Sequence, residues 1–266
     1  MRPLKELFRL DGRVALVTGG AGHIALACEE ALAEMGAKIA VVDREQATCD
    51  ARAADLAKRF GVEAAGFEAN LEERDACAAL VKRVVNRIGR LDVLVNNAAY
   101  TGQSGVAGYA VPFPEQTVDA WDAAMRVNLR APFQLSQAAH VELAKHRGTI
   151  LNIGSIYGVV GVRSSLYEGT KMGNPAAYNA SKGAIVQLTR YLATVMAPDV
   201  RVNCLSPGGV ERGQPDSFQK RYVAETPLAR MATEEDFKGA FAYLASPASA
   251  YVTGQNLMVD GGWTAW

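Results

Sequence analysis

Apolar and polar residues follow each other along this chain in two patterns with different periods. Short runs that are apolar at successive positions predict buried strands over 13–18, 38–43, 62–68, 91–96, 149–153, 200–205 and 256–259. Stretches with helical spacing of apolar residues lie between them and predict helices over 22–35, 45–59, 72–88, 116–145, 176–196 and 233–245. Strands and helices therefore follow one another in a single regular alternation.

This alternation predicts the fold class. Strands that are apolar on both faces and are separated by helices are typical of a parallel sheet covered on both sides. We expect one α/β domain over residues 1–266, a Rossmann-type doubly wound sheet of about seven strands with helices on both faces. Long loops at 98–115 and 155–175 both follow strand C-termini, the edge where open α/β sheets bind ligands. The functional site is expected at that edge.

A glycine-rich turn, T-G-G-A-G-H-I-A at 18–25, joins the first predicted strand to the first predicted helix. Glycines there let backbone N–H groups approach a pyrophosphate at the helix N-terminus, and His23 would lie near the phosphates. Asp43 ends the second predicted strand, where a carboxylate accepts hydrogen bonds from both ribose hydroxyls. A carboxylate repels a 2′-phosphate, whereas the neighbouring Arg44 could pair with one. The turn therefore predicts a dinucleotide site, with NAD preferred and NADP as the alternative.

A second group of residues has the types needed for acid/base chemistry. Tyr178 and Lys182 are four positions apart and so share one face of the helix predicted over 176–196. An ammonium beside a phenol favours the phenolate, so we expect Lys182 to lower the pKa of Tyr178. Ser155 follows a predicted strand, where its hydroxyl could bind a substrate oxygen. Asn128 lies inside a predicted helix, where a short amide is a poor helix former and indicates another role.

Taken together and in this order, these motifs resemble the short-chain dehydrogenase/reductase family over essentially the whole chain. The matching segments are the glycine-rich turn, N-N-A-A at 96–99, Asn128, Ser155, Tyr178 with Lys182, P-G at 207–208 and V-D-G-G at 259–262. The resemblance implies that Tyr178 moves the proton on the substrate oxygen while a hydride passes to or from the nicotinamide. It also implies that Ser155 polarises that oxygen, that Lys182 tunes Tyr178 and binds the nicotinamide ribose, and that Asn128 positions a water molecule.

The same resemblance implies a set of cofactor contacts and no metal site. The cofactor contacts expected from it are Gly19, Gly22, His23, Ile24, Asp43, Arg44, Asn70, Leu71, Asn97, Ala98, Ala99, Tyr178, Lys182, Pro207, Gly208 and Val210. A segment at 213–227 falls where the family places a mobile substrate lid, and a loop plus a short helix is expected there. The threonine that usually follows the P-G pair and helps to hold the nicotinamide carboxamide is not evident.

The chain departs from the family pattern in the distance between Ser155 and Tyr178, which is longer than usual. The extra segment, 164–174, carries Tyr167, Glu168 and Lys171, which suit a polyhydroxylated or charged substrate. A tolerated surface insertion or a subunit contact is the alternative interpretation. Parts of this segment and of 207–214 are similar to a subgroup linked to surface-polysaccharide and flagellin sugar modification.

These observations predict an NAD(P)-dependent oxidoreductase (EC 1.1.1.-) that interconverts a secondary alcohol and a ketone on a sugar or polyol-type substrate. One alternative is a non-catalytic dinucleotide-binding or redox-sensing protein, against which the intact set of four candidate catalytic residues argues. The other is an isomerase, epimerase or dehydratase that keeps NAD bound, which the spacing of the glycine-rich turn favours.

Composition and charge indicate which partners and which cell compartment to expect for this protein. Lys and Arg together number 28, as do Asp and Glu, so no basic field attracts nucleic acid or an anionic membrane. The N-terminus lacks a signal-peptide apolar stretch, and four scattered cysteines without a C-x-x-C pair fit the cytoplasm. The resemblance implies a homotetramer, and Trp263 and Trp266 fit either a subunit contact or simple packing.

Overall fold

The computed structural model describes residues 1–102 and 104–266, and Gln103, within the predicted loop at 98–115, lies outside the described residues. Seven strands are β1 Val14–Thr18, β2 Lys38–Asp43, β3 Ala64–Glu68, β4 Val93–Asn96, β5 Thr149–Ile153, β6 Arg201–Pro207 and β7 Asn256–Val259. The α-helices are α1 Leu4–Leu7, α2 His23–Glu34, α3 Gln46–Phe60, α4 Ala76–Ile88, α5 Val118–Met125, α6 Ala131–Lys145, α7 Ala176–Val195, α8 Asp216–Ala224 and α9 Glu235–Ala245.

The seven strands form one sheet, in which every pairing is parallel. Their order is β3-β2-β1-β4-β5-β6-β7, so the chain turns from one side of β1 to the other after β3. A crevice forms outside the strand C-termini at such a reversal, because successive crossovers leave in opposite directions there. The prediction of a doubly wound parallel sheet is confirmed.

Both faces of the sheet are covered by apolar residues, as the continuous apolar strands predicted. Side chains alternate along β1, so that Val14 and Leu16 join one buried cluster while Ala15 and Val17 join the other. Helices α4 and α6 pack together on the first face, and α2 and α9 pack together on the second. The strands are therefore held from both sides, which fixes the positions of their C-terminal ends.

The helix predicted over 116–145 is interrupted in the structure. It divides into α5, a single π turn at Arg126–Arg130, and α6. Pro132, at the start of α6, has no N–H to donate to the carbonyl of Asn128 four residues earlier, so the α-helical ladder cannot continue through this point. The π turn places Asn128 at a break in the helix rather than inside one.

Helix α4 begins four residues later than the predicted helix over 72–88. The Asn70 side-chain oxygen accepts a hydrogen bond from the Glu72 N–H at 3.1 Å and forms a local turn instead. Asparagine competes with the helix in this way because its short amide reaches its own backbone.

Candidate active site

A cavity of about 830 Å³ lies at the C-terminal edge of the sheet, within the size range of small-ligand sites. It is lined by Ser155 and by every residue expected to contact the cofactor, namely Gly19, Gly22, His23, Ile24, Asp43, Arg44, Asn70, Leu71, Asn97, Ala98, Ala99, Tyr178, Lys182, Pro207, Gly208 and Val210. Asn128 is buried behind this wall and does not line the cavity. Residues far apart in sequence are therefore gathered where the alternation of strands and helices predicted.

The glycine-rich turn presents backbone donors to the cavity. Gly22 precedes α2, and no side chain of a described residue caps the first turn of that helix. Free N–H groups and the helix dipole make such an end a site for anions. Gly19 has a φ of +65°, and a Cβ atom there would lie 2.9 Å from the Cα atom of Ala98. Only glycine gives the turn this shape and this close approach.

Asp43 is held rigidly beside the turn by backbone hydrogen bonds. Its Oδ2 accepts a hydrogen bond from the Ala21 N–H at 2.9 Å, and its Oδ1 accepts one from the Arg44 N–H at 2.7 Å. Each carboxylate oxygen keeps a second lone pair for a ligand hydroxyl. The turn with its uncapped helix end, the fixed carboxylate and the size of the cavity fit a dinucleotide.

Asn97 connects the ends of two strands through its side-chain amide. Its Nδ2 donates to the carbonyl oxygens of Thr18 and Gly19, at 2.9 and 3.2 Å. The Thr18 hydroxyl in turn accepts hydrogen bonds from the N–H groups of Asn97 and Ala98. The N-N-A-A segment thus fixes the glycine-rich turn from behind.

Tyr178 and Lys182 lie one turn apart on α7, as their spacing predicted. The Lys182 Nζ atom is 5.6 Å from the centre of the Tyr178 ring and donates a hydrogen bond of 2.7 Å to the carbonyl of Ile153. Burial lowers the pKa of Lys182 to about 8. The side chain is anchored to the end of β5, with its ammonium beside the phenol ring.

The expected lowering of the Tyr178 pKa by Lys182 is wrong for the protein alone. Burial raises the pKa of Tyr178, and the Ser155 hydroxyl only partly opposes this rise. The physical reason is that burial favours the neutral phenol over the charged phenolate. In the protein alone Tyr178 therefore favours its phenol form.

Asn128 is 3% exposed, and its whole side chain is engaged in hydrogen bonds. Its Oδ1 accepts from the Tyr100 N–H at 2.7 Å, while its Nδ2 donates to the Tyr100 carbonyl and to the Ser181 Oγ, at 3.2 and 3.1 Å. Ser181 itself donates to the carbonyl of Tyr178. The amide thus ties the loop after β4 to the beginning of α7.

The segment 164–174 contributes a wall of the same cavity. The Tyr167 hydroxyl shares a 2.8 Å hydrogen bond with the Tyr157 hydroxyl and accepts another from the Asn174 Nδ2 at 3.0 Å. Tyr167 and Lys171 line the cavity, whereas Glu168 is exposed and does not. The expectation for Glu168 is therefore wrong, because its side chain faces away from the site.

Helix α8 lies within the lid-like segment predicted at 213–227 and closes on the same wall. The rings of Phe218 and Tyr167 have centroids 5.4 Å apart, and the Tyr222 ring stacks between Phe218 and Trp263. The Tyr222 hydroxyl accepts a hydrogen bond of 2.6 Å from the Gly209 N–H. Trp263 is buried in this cluster, so it packs inside the subunit, while Trp266 is 69% exposed.

Sequence reasoning missed several residues of the site. Tyr157, Asn174 and Arg212 line the cavity without having been singled out. Tyr157 and Asn174 are recognisable only through their contacts with Tyr167. Arg212 could have been recognised from the sequence, because it is a cation in the loop that follows the P-G pair.

No group of three His, Cys, Asp or Glu side chains in the described ranges could hold a metal ion. Within those same ranges, no helix is long and apolar enough to cross a membrane. All four cysteines are free and buried.

A family model described as enoyl-(acyl carrier protein) reductase matches residues 19–264. Among curated relatives, 2-(S)-hydroxypropyl-CoM dehydrogenase 3 of Xanthobacter autotrophicus is 37% identical and covers 97% of this chain and 98% of its own. Galactitol 2-dehydrogenase of Rhizobium johnstonii is 34% identical and covers 98% and 99%. Among solved structures, a gluconate 5-dehydrogenase from Burkholderia cenocepacia, in complex with NADP and tartrate, has a TM-score of 0.88 at 31% identity and covers 99% and 100%. The similarity extends over the whole domain.

Proposed function

This chain belongs to the short-chain dehydrogenase/reductase family and interconverts an alcohol and a ketone with NAD(P), and from this premise we propose its substrate class, its catalytic residues and its preferred cofactor. The observation that carries the proposal is that Ser155 and Tyr178 line one cavity that fits a dinucleotide, with Lys182 anchored beside the Tyr178 ring. Two hydroxyl groups that line one cavity can both bind the oxygen of a carbinol or a ketone. The substrate oxygen therefore binds between them.

The roles proposed for the chain follow from this placement. The bound nicotinamide supplies or accepts the hydride. Tyr178 donates its proton to the substrate oxygen when a ketone is reduced, and it accepts that proton when an alcohol is oxidised. Ser155 holds and polarises the same oxygen. Because the pKa of Tyr178 is raised, the protein alone holds the phenol form that ketone reduction requires, and alcohol oxidation should accelerate as the pH rises above neutral.

Lys182 and Asn128 complete the proposed group. Lys182 binds the nicotinamide ribose from its anchored position on the Ile153 carbonyl. Asn128 acts through its backbone, because its side-chain amide is already occupied and Pro132 cannot donate to its carbonyl. A water molecule at that carbonyl would connect Lys182 to solvent for proton exchange.

We propose NAD as the preferred cofactor, with NADP as the alternative. Asp43 supports NAD, because its fixed carboxylate can accept hydrogen bonds from ribose hydroxyls and repels a 2′-phosphate. Two observations support NADP. Arg44 lines the cavity beside Asp43, and the related gluconate 5-dehydrogenase was solved with NADP.

A sugar or polyol is the proposed substrate class. The wall made by Tyr157, Tyr167 and Asn174 is a chain of hydroxyl and amide groups, and Lys171 lies beside it. Such groups pair with several hydroxyls of one ligand, and a site built to do so rejects ligands that lack them. The galactitol and gluconate dehydrogenases named above act on molecules of this kind by name.

We also propose a cytoplasmic homotetramer. Support for association comes from large apolar side chains that are exposed on α5, α6 and α7, among them Trp121, Phe133 and Tyr191. The balanced charge offers nothing to nucleic acid or an anionic membrane.

The test is an assay of NAD(P)H absorbance with polyols, sugar acids and simple secondary alcohols, run beside the variant Tyr178→Phe. We expect polyols or sugar acids to react best, and we expect Tyr178→Phe to lower turnover at least about 100-fold, a typical contribution of a general acid/base. Binding of NADH, followed by tryptophan fluorescence, should be retained. Near-normal turnover in this variant would exclude the mechanism, and product formation without net NAD(P)H change would favour the isomerase, epimerase or dehydratase alternative.

A further inference from the structure

Arg212 is a partly buried cation in the cavity, and two of its guanidinium nitrogens, Nε and Nη2, make no hydrogen bond with the described residues. It follows β6 in the loop after the P-G pair, and its side chain is 25% exposed. The Nη2 atom is buried and has no hydrogen-bond partner among the described residues. A buried guanidinium N–H without a partner is costly, because it has lost its water and gained nothing in exchange. This arrangement indicates a ligand that completes it.

Glu234 holds Arg212 close to the beginning of α2. The Glu234 Oε1 atom is 3.3 Å from the Arg212 Nε and 3.4 Å from the Nδ1 of His23, the first residue of α2. One carboxylate oxygen therefore contacts both the loop after β6 and the helix that follows the glycine-rich turn. The shared Glu234 oxygen therefore places the guanidinium close to the uncapped end of α2.

The loop that carries Arg212 is itself fixed. The Gln214 Oε1 atom accepts a hydrogen bond of 2.7 Å from the Arg212 N–H, and the Gln214 Nε2 donates one of 2.7 Å to the Val210 carbonyl. Val210 also pairs with Ala232 in an isolated bridge. The backbone of Arg212 is thus restrained from both sides, which fixes the point from which its side chain extends.

The chemistry of these two neighbours selects an anion. The first turn of α2 supplies free backbone N–H groups and the positive end of a helix dipole. A guanidinium supplies several N–H donors in a planar fork, which matches the oxygens of a phosphate. Burial lowers the pKa of Arg212, and the charge of Glu234 opposes this effect only in part. A phosphate group between the helix end and Arg212 would satisfy both.

We propose that Arg212 binds the pyrophosphate of the dinucleotide, facing the first turn of α2, with Glu234 as its positioning residue. This inference rests on the proposed dinucleotide site and adds to it a side-chain contact that the family resemblance did not supply.

The experiment measures binding of NADH, ADP-ribose and adenosine by calorimetry or tryptophan fluorescence, without any substrate. Arg212→Gln should raise the Kd for NADH and ADP-ribose about 10-fold or more, because a hydrogen bond to a charged group is lost. The Kd for adenosine, which has no phosphate, should not change. Added salt should weaken ADP-ribose binding less in the variant than in the unmodified protein.

Two further variants complete the design. Arg212→Lys keeps the charge but not the fork, and an intermediate Kd is expected; this variant also serves if Arg212→Gln does not fold. Arg230→Gln removes an exposed arginine that pairs with Asp236 and does not line the cavity, and it should bind all three ligands normally.

Unchanged ADP-ribose binding in folded Arg212→Gln or Arg212→Lys would overturn this inference. A higher KM for a sugar acid with unchanged NADH binding would assign Arg212 to the substrate instead, and would overturn it too. Failure of the unmodified protein to bind any dinucleotide would be a different result, because it would contradict the proposed function itself.

Discussion

The two halves of the cavity are built in different ways. In the cofactor half, the groups that face the ligand are backbone N–H groups of the glycine-rich turn and an Asp43 carboxylate fixed by two backbone hydrogen bonds. In the substrate half, Tyr157, Tyr167 and Asn174 bind one another through their side chains. A backbone that follows the ends of buried strands presents the same groups whatever the neighbouring side chains are. Side chains on a loop present groups that depend on this sequence alone.

This difference assigns separate tasks to the two halves. A dinucleotide is the same in many enzymes and can be bound by a framework that does not change. A substrate varies, and a loop such as 164–174 can change without disturbing the sheet. We therefore expect substitutions in the cofactor half to affect binding of every dinucleotide or the stability of the fold. Substitutions in the substrate half should distinguish one alcohol from another.

The largest expected effect concerns the floor of the cofactor half, where Glu29 lies fully buried beneath Gly20. Its Oε2 accepts a 2.8 Å hydrogen bond from the Arg52 Nε, and burial raises the pKa of Glu29 to about 8. The folded protein therefore keeps a proton that the unfolded chain releases near pH 4.5, so this group makes stability fall as the pH rises from about 4.5 to about 8. Glu29→Gln should remove that loss. It should be more stable than the unmodified protein at pH 8, by on the order of a few kcal/mol, and nearly equal to it at pH 5, as measured by urea unfolding.

Glu30, the next residue on α2, is the matched control. Burial acts against its ionisation, but hydrogen bonding to Arg59 and the charge of Lys238 outweigh it and lower the pKa of Glu30. Its ionised form therefore stabilises the protein above the unfolded pKa, and this contribution disappears as the pH falls. Glu30→Gln should cost stability at pH 8, the opposite sign to Glu29→Gln. If the free energy of unfolding changed with pH in the same way for Glu29→Gln and the unmodified protein, Glu29 would not be buried away from water as described.

The next effect concerns the choice of cofactor at the rim of the same half. Asp43→Asn removes the negative charge beside the ribose and loses one of the two backbone hydrogen bonds that hold the side chain. We expect NADH binding to weaken by about 1.5–3 kcal/mol, the range for hydrogen bonds to charged groups, and NADPH binding to weaken less or to improve. Fluorescence titrations with both cofactors measure the ratio of the two Kd values.

Arg44→Gln gives the opposite test at the neighbouring position. It should weaken NADPH binding and leave NADH binding unchanged, because only the 2′-phosphate pairs with a guanidinium there. If neither substitution changes the ratio, the residues after β2 do not select the cofactor, and the preference for NAD loses its support.

The cofactor half was also the part that could be predicted from the sequence. The glycine-rich turn, α2 and Asp43 belong to one strand–helix–strand unit, so their spacing along the chain fixes their spacing in space. The parallel sheet followed from strands that are apolar on both faces. Where prediction failed in this half, a local cause explains it, as with the Asn70 turn that delays α4.

The substrate half could be located but not described from the sequence. Tyr167 meets Phe218 and Trp263 meets Tyr222 across long stretches of chain, and no periodicity encodes such pairs. The prediction that the pKa of Tyr178 is lowered was wrong for the same reason. The spacing reveals a nearby lysine, but it does not reveal the burial that raises this pKa. Tertiary packing decides which side chains of a loop line a cavity, and the sequence does not show that packing. The exposed Glu168 was therefore expected inside the site.

The smallest expected effect tests whether the substrate half acts on the substrate alone. Tyr167→Phe removes the hydroxyl that contacts Tyr157 and Asn174 but keeps the ring that packs 5.4 Å from Phe218. One neutral hydrogen bond contributes about 0.5–1.5 kcal/mol, so kcat/KM for a polyol should fall about 2- to 10-fold. A secondary alcohol without further hydroxyls should react as before, and the Kd for NADH should stay the same, because the hydrogen bonds of the lost hydroxyl go to Tyr157 and Asn174. An equal loss for both alcohols, or weaker NADH binding, would mean that the segment supports the whole cavity, and the division between the two halves would fail.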